Sequence, residues 1–422
     1  MTYTKPHAER VLLVGLGEQY AFEKRGARDP LEELRLLAET AGAEVVGTLV
    51  QTRNDITPRF YIGTGKADEL KALVESTEAS TVIFDNELTP AQVRNLHDLL
   101  NDIKVIDRPG LILDIFALRA RTSESRIQVE LAQLRHMLPR LTRQWTHLSR
   151  QVGGIGVRGP GETQLEVDRR RVRDRIGHLA EKLKQIEKRG ETVRKGRENT
   201  FTVSLAGYTN AGKSTLFNAL SRSDAPVEDR LFKTLDTMTR RMIGEHLPEI
   251  IVSDTVGFIR DLPHELVASF RSTLDDVRGA DLLLHVIDIT SPDWEQQMEV
   301  VEKVLGEISA GEIEVIPVFN KIDRLEHDGL TQALAARFPN ARFVSAKTGL
   351  GVPELIETVT AAALRSLVRV TVDLDPADGE LLSELYRCGT VLESVSHDEK
   401  LRLTCSLPSN AAKRLGLTPK ES

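Results

Sequence analysis

Cysteine is scarce in this chain: Cys388 and Cys405 are the only two among 422 residues. Both lie far from any histidine cluster, so a zinc site is not expected and a reducing, cytoplasmic setting is. Long hydrophobic runs are absent as well. No apolar stretch approaches the roughly 18 residues that suggest a bilayer-spanning helix. The N-terminus has no basic-then-apolar leader, and no lipidation motif is present. These absences argue against a membrane anchor. What remains is ordinary for a globular chain, with 40% hydrophobic and 28% charged residues. Its length suggests about two to four domains with ample core.

Positive charge is in deficit overall, at a net −7, but it is unevenly placed. Residues 119–197 hold 20 Lys or Arg against 9 Asp or Glu, a local excess of +11. A basic segment inside an acidic protein points to a polyanionic partner, nucleic acid first.

The chain is organised around residues 201–215, FTVSLAGYTNAGKST. Phe201 to Ala206 reads as a short buried strand. Gly207, Tyr208, Thr209, Asn210, Ala211, Gly212, Lys213, Ser214 and Thr215 then fit a phosphate-binding loop, and Leu216, Phe217 and Leu220 suit a helix after it. Glycines let backbone N–H groups turn inward, and a helix N-terminus adds positive potential. Lys213 is placed to reach the β- and γ-phosphates, and the Ser214 hydroxyl to bind Mg²⁺.

Three later strand runs end in matching chemistry. Ile250 to Asp254 leads into Asp254-Thr255-Val256-Gly257, where the Asp can hold the Mg²⁺ shell and the Gly257 N–H can meet a γ-phosphate. Val315 to Phe319 leads into Asn320-Lys321-Ile322-Asp323. A carboxylate there can accept guanine's N1 and 2-amino protons. Adenine lacks that donor pair, and a site built for it rejects the analogue strongly. Phe343-Val344 leads into Ser345-Ala346-Lys347, where the Ala346 N–H can meet guanine O6. In this order, each after a strand, the strings resemble the translation-factor-like class of P-loop GTPases.

The expected fold class is multidomain α/β. Residues 1–116 alternate strand and helix, which implies a mostly parallel sheet. Gly63-Thr64-Gly65-Lys66 looks like half a phosphate loop and is read mainly as a turn into a helix over 67–74. Residues 117–199 carry two heptad seams, Ile127, Leu131, Leu134, Leu138, Leu141, Trp145, Leu148 and Val172, Ile176, Leu179, Leu183, Ile186. They are expected to form an antiparallel hairpin, with Pro139 kinking or splitting the first. Its tip, 153–162, is glycine-rich and carries Arg158, with Arg169, Arg170, Arg171, Arg173 and Arg175 behind it. Few aromatics lie near, so RNA backbone and groove contact is expected rather than base stacking. Residues 200–366 form the P-loop domain and 367–422 a small α+β docking or packing module.

GGIGVRGPGETQLE, the arginine-rich helix and GYTNAGKST together resemble the HflX family of ribosome-associated GTPases, over nearly the whole chain. The resemblance implies bound GTP or GDP, Mg²⁺, binding to the large ribosomal subunit and its RNA, and GTP-linked splitting of stalled or idle ribosomes in stress. A monomer is expected. By the same match Phe232, Lys233, Thr234, Leu235 and Asp236 form the first switch, with Thr234 on Mg²⁺ and Thr237 and Thr239 as alternatives. Lys213, Thr234 and Gly257 are the expected catalytic residues. Phe258 stands where Ras-like enzymes place a water-orienting glutamine, so intrinsic hydrolysis should be slow and partner-stimulated. Arg260 and His264 are candidates to replace that group. An RNA-remodelling or RNA-modification-assisting NTPase and a signalling GTPase remain as alternative readings.

Overall fold

The computed structural model describes residues 8–16, 31–52, 56–142, 164–195, 200–221, 232, 238–243, 249–260, 277–308, 310, 313–325, 329–375, 379–397, 400–408, 411–412 and 415–417. By its internal contacts the chain forms two compact units. The first is Met1–Lys184 with Arg230–Lys233 and Asp261–Phe270; the second is Gln185–Asp229 with Thr234–Arg260 and Arg271–Ser422.

In the first unit, apolar runs give four parallel strands: β1 (Arg10–Leu16), β2 (Glu44–Gln51), β3 (Thr81–Phe84) and β4 (Lys104–Asp107). Their order is β2-β1-β3-β4. Helices α1 (Glu32–Thr40), α2 (Thr64–Thr77) and α3 (Pro90–Leu99) connect them. Leu12 and Val14 of β1 pack with Leu70 of α2 and Leu96 of α3 in one core. Thr89 and Gln92 close a capping box at the start of α3, with Pro90 in its first turn. Gly63 caps α2 and Lys66 pairs with Glu69 at 2.8 Å, so the Gly63–Lys66 string is a turn into a helix, as read.

Helix α4 (Arg108–Arg119) follows β4 directly and was not foreseen as a separate element. Its Asp107 cap accepts the Gly110 N–H. Arg108 is fully buried and pairs with Asp85 and Glu33, each at 2.5 Å. Asp107 is buried too. Burial raises its carboxyl pKa, but hydrogen bonds from His136 and Arg140 outweigh that and hold it near 2.

The two heptad seams become α5 (Ser123–Met137) and α6 (Gln164–Lys195). Ile127, Leu131 and Leu134 of α5 share one cluster with Ile176, Leu179 and Leu183 of α6. The first seam does split at Pro139: α5 ends at Met137, and a 3₁₀ turn covers Arg140–Thr142. Trp145, Leu148 and the 153–162 tip lie outside the described residues.

The second unit holds a six-stranded sheet: β5 (Phe201–Gly207), β6 (Met238–Arg241), β7 (Ile250–Asp254), β8 (Leu282–Asp288), β9 (Glu314–Asn320) and β10 (Arg342–Phe343). The order is β10-β9-β8-β5-β7-β6, parallel except for edge strand β6. Helices α7 (Lys213–Ser221), α8 (Trp294–Glu307), α9 (Gly329–Arg337) and α10 (Val352–Arg365) accompany it. A second, antiparallel sheet follows, ordered β11-β13-β12: β11 (Leu367–Leu374), β12 (Thr390–His397) and β13 (Lys400–Pro408), with α11 (Gly379–Cys388). Cys405 sits in its core, fully buried. Residues 411–412 are helical; 409–410 and 413–414 lie outside the described residues. Among the described residues no helix is long and apolar enough to cross a membrane.

Candidate nucleotide site

β5 runs between β7 and β8 and delivers Gly207 at its carboxyl end, the edge where open α/β sheets bind ligands. Close packing dictates both loop glycines. A Cβ on Gly207 would stand 2.3 Å from the Val286 carbonyl oxygen; one on Gly212, at φ +96°, would stand 2.2 Å from Asn320 Nδ2. Helix α7 begins at Lys213, so Lys213 and Ser214 lie in its first turn, where the helix end favours an anion. The Lys213 ammonium is buried and donates to the carbonyls of Gly207 at 2.9 Å and Tyr208 at 2.8 Å. Burial pushes its pKa down to about 8, against the opposing pull of Asp254. His285, on the neighbouring strand, is buried beside this charge. Burial and Lys213 together push it down to about 4, so it is neutral at physiological pH.

The Ser214 hydroxyl donates to Asp254 Oδ2 at 2.7 Å. A hydroxyl and a carboxylate so close form a hard-oxygen pair of the kind Mg²⁺ takes, alongside water and phosphate. Thr255 does not join them: its hydroxyl donates to the Leu205 carbonyl at 2.7 Å and anchors the strand end.

The base-binding strings are tied to the loop by a chain of bonds. Asn320 Nδ2 donates to the Ala211 carbonyl at 2.8 Å, and Asn320 Oδ1 accepts the Ala346 N–H at 2.9 Å. Lys321, in the left-handed region, donates to the Asn210 carbonyl at 2.8 Å and to Asp288 at 2.6 Å. Asp323 lies on the Ile322–Arg324 3₁₀ turn with its side chain exposed, open to an incoming base. Ser345 is buried and caps its own turn by accepting the Thr348 N–H, while Lys347 is exposed. The Ala346 N–H, expected on guanine O6, is therefore occupied by Asn320 and must be shared or handed over when a base arrives.

The first switch is less complete. Phe232 is buried, with its ring centroid 4.6 Å from that of Phe116 in the first unit. In this structure the side chain packs ring against ring. Lys233, Thr234, Leu235 and Asp236 lie outside the described residues, as do Thr237 and His264. Thr239 lies in β6, its hydroxyl 3.4 Å from that of Ser253.

The second switch is bonded to the loop. Phe258 is buried, its N–H donates to the Gly207 carbonyl at 3.1 Å, and its own carbonyl accepts the Thr209 N–H at 2.7 Å. The Arg260 N–H donates to the Tyr208 hydroxyl at 2.9 Å. This Tyr208 bond and the backbone pairing were not expected. They depend on how the 257–260 segment returns over the loop, for which the one-dimensional string carries no signal.

Residues 28–117 match a family model described as GTP-binding GTPase N-terminal, residues 119–197 its Middle Region, and residues 202–321 one described as 50S ribosome-binding GTPase. The chain is 46% identical over 384 residues to the GTPase HflX of Escherichia coli (strain K12), covering 90% of each. It is 51% identical over 333 residues to the GTPase HflX of Caldanaerobacter subterraneus subsp. tengcongensis, covering 78% of this chain and 76% of that one.

Proposed function

Because the chain belongs to the HflX family of GTPases, it binds and hydrolyses GTP, and we propose that it binds the large ribosomal subunit and uses this cycle to dissociate stalled or idle ribosomes into subunits, notably in stress. The observation that carries the ribosomal reading is the match of residues 202–321 to the 50S ribosome-binding GTPases. The exposed arginines Arg170, Arg171, Arg173 and Arg175 on α6 support it, since guanidinium groups suit RNA phosphates. The division into domains 1–116, 117–199, 200–366 and 367–422, a monomeric state and a cytoplasmic setting belong to the same reading.

In this mechanism Lys213 leaves the loop carbonyls to hold the β- and γ-phosphates. Asp323 selects guanine, and Asn320 keeps loop and base strings in register. Mg²⁺, held by Ser214 and Thr234 with Asp254 behind it, would neutralise charge on the transferred phosphoryl group. Bound GTP orders the 232–236 and 254–257 segments, and hydrolysis releases them. Subunit separation then follows from different ribosome affinities of the two states. A role assisting RNA modification through a reactive C-terminal cysteine is disfavoured. Cys405 is sealed in the sheet core, and burial pushes its thiol pKa up.

Sucrose-gradient sedimentation tests the proposal. Intact ribosomes incubated with the protein and a non-hydrolysable GTP analogue are expected to shift toward free subunits, and those incubated with Lys213→Ala are not. Ribosomes left intact by nucleotide-loaded protein would refute the splitting role.

A further inference from the structure

The side chain at position 258 is a phenylalanine, which cannot hydrogen-bond the attacking water, and it is buried with both backbone polar groups bonded to the phosphate loop. Arg260, one candidate replacement, has its N–H on Tyr208. A different polar group lies in the phosphate loop itself. Thr209 is 7% exposed. Its hydroxyl oxygen is buried and has no hydrogen-bond partner among the described residues. Its neighbours are the groups expected to meet the γ-phosphate. The point where a Cβ on Gly257 would stand is 3.0 Å from Thr209 Cγ2, 3.1 Å from Thr209 Cα and 3.0 Å from Lys213 Nζ. Thr209, Gly257 and Lys213 thus meet around one point.

A threonine hydroxyl offers one donor and two acceptor positions. Leaving all of them unused in the interior is unfavourable, and valine would fill the same space without that cost. Such defects concentrate where function requires the group. We propose that the Thr209 hydroxyl positions the attacking water for GTP hydrolysis, in place of the side chain that Phe258 cannot supply. The water oxygen forms a bond to the γ-phosphorus while the bond from phosphorus to the β,γ-bridging oxygen breaks. That oxygen leaves on GDP with the electron pair. The two water protons end on the released phosphate, which loses one to solvent. Thr209 orients the water and neither gains nor loses a proton overall. Its oxygen is covered in this structure, on a residue whose backbone N–H is bonded to the Phe258 carbonyl. Water therefore reaches it only after a local rearrangement, and the Thr209–Phe258 backbone bond ties such a rearrangement to the second switch. The inference rests on GTP hydrolysis, not on ribosome splitting.

The test uses the full chain with Thr209→Val, which keeps the shape and removes the hydroxyl, and Thr209→Ser, which keeps the hydroxyl. Single-turnover GTP hydrolysis is measured beside the affinities for GDP and a non-hydrolysable GTP analogue. Thr209→Val is expected to hydrolyse about 100-fold more slowly, the low end of the losses seen when a positioned proton-transfer or charge-stabilising group is removed. Both affinities should stay within about twofold, and Tm should be equal or higher. Thr209→Ser should keep hydrolysis within about threefold. Unchanged hydrolysis in Thr209→Val overturns the proposal. So does equal slowing in both variants, which would indicate packing, and so does a loss of affinity matching the loss of rate. Nucleotide binding verifies that each variant is folded.

Discussion

Lys213 shows how a single buried charge sets the behaviour of a site. Without a phosphate it donates to two loop carbonyls, and burial lowers its pKa to about 8. Phosphate oxygens favour the charged form, so binding near that pH draws in a proton. The sign follows directly: below about pH 8 the lysine is already charged and affinity is flat, and above it each pH unit weakens binding by up to about tenfold. Titrating the affinity for GDP between pH 7 and 9 should show roughly a tenfold loss by pH 9, and a constant affinity would show that the lysine does not titrate there. The residues of this site were legible in the sequence because phosphate capture requires particular types at a set spacing. Gly207 and Gly212 are dictated by backbone and side chain only 2.3 and 2.2 Å away. The Ala346 N–H was assigned to guanine, yet Asn320 holds it. The added partner has a physical origin: a spacing motif names a donor without showing what satisfies it in the interior.

At the scale of elements, the apolar face of α6 and its charged face do different things. Leu179 and Leu183 are buried against Leu131, whereas the Arg175–Glu130 pair is exposed. Leu179→Ala should therefore weaken the α5–α6 packing by about 2–4 kcal/mol. Hydrogen exchange of α5 amides should accelerate accordingly. Glu130→Gln should leave that exchange unchanged, since exposed ion pairs contribute little. Equal effects of the two variants would contradict this division. The pattern of the elements explains what was foreseen. β5, β7, β8 and β9 are largely buried and appear as mostly apolar runs, and the seams keep heptad spacing. Two elements escaped. Helix α4 buries seven of its residues, so its apolar run Leu111–Phe116 has no amphipathic period to mark it. Strand β6 is a four-residue edge, Met-Thr-Arg-Arg, paired among the described residues with β7 alone. Its pairing is set by neighbours that come later in the chain.

At the scale of the whole molecule, an acidic protein carries one basic segment of +11 beside a nucleotide-driven domain. Switch proteins of this design act through the difference in partner affinity between nucleotide states. The buried Phe258 and the bonds that tie its segment to the phosphate loop imply that the resting enzyme is slow, and that its partner frees the segment. GTP turnover measured with purified large subunits, with small subunits, or with neither tests that claim most directly. Large subunits are expected to raise turnover by at least about tenfold, small subunits to leave it unchanged, and Lys213→Ala to abolish it throughout. Equal turnover under all three conditions, by protein shown to bind GTP, would contradict it.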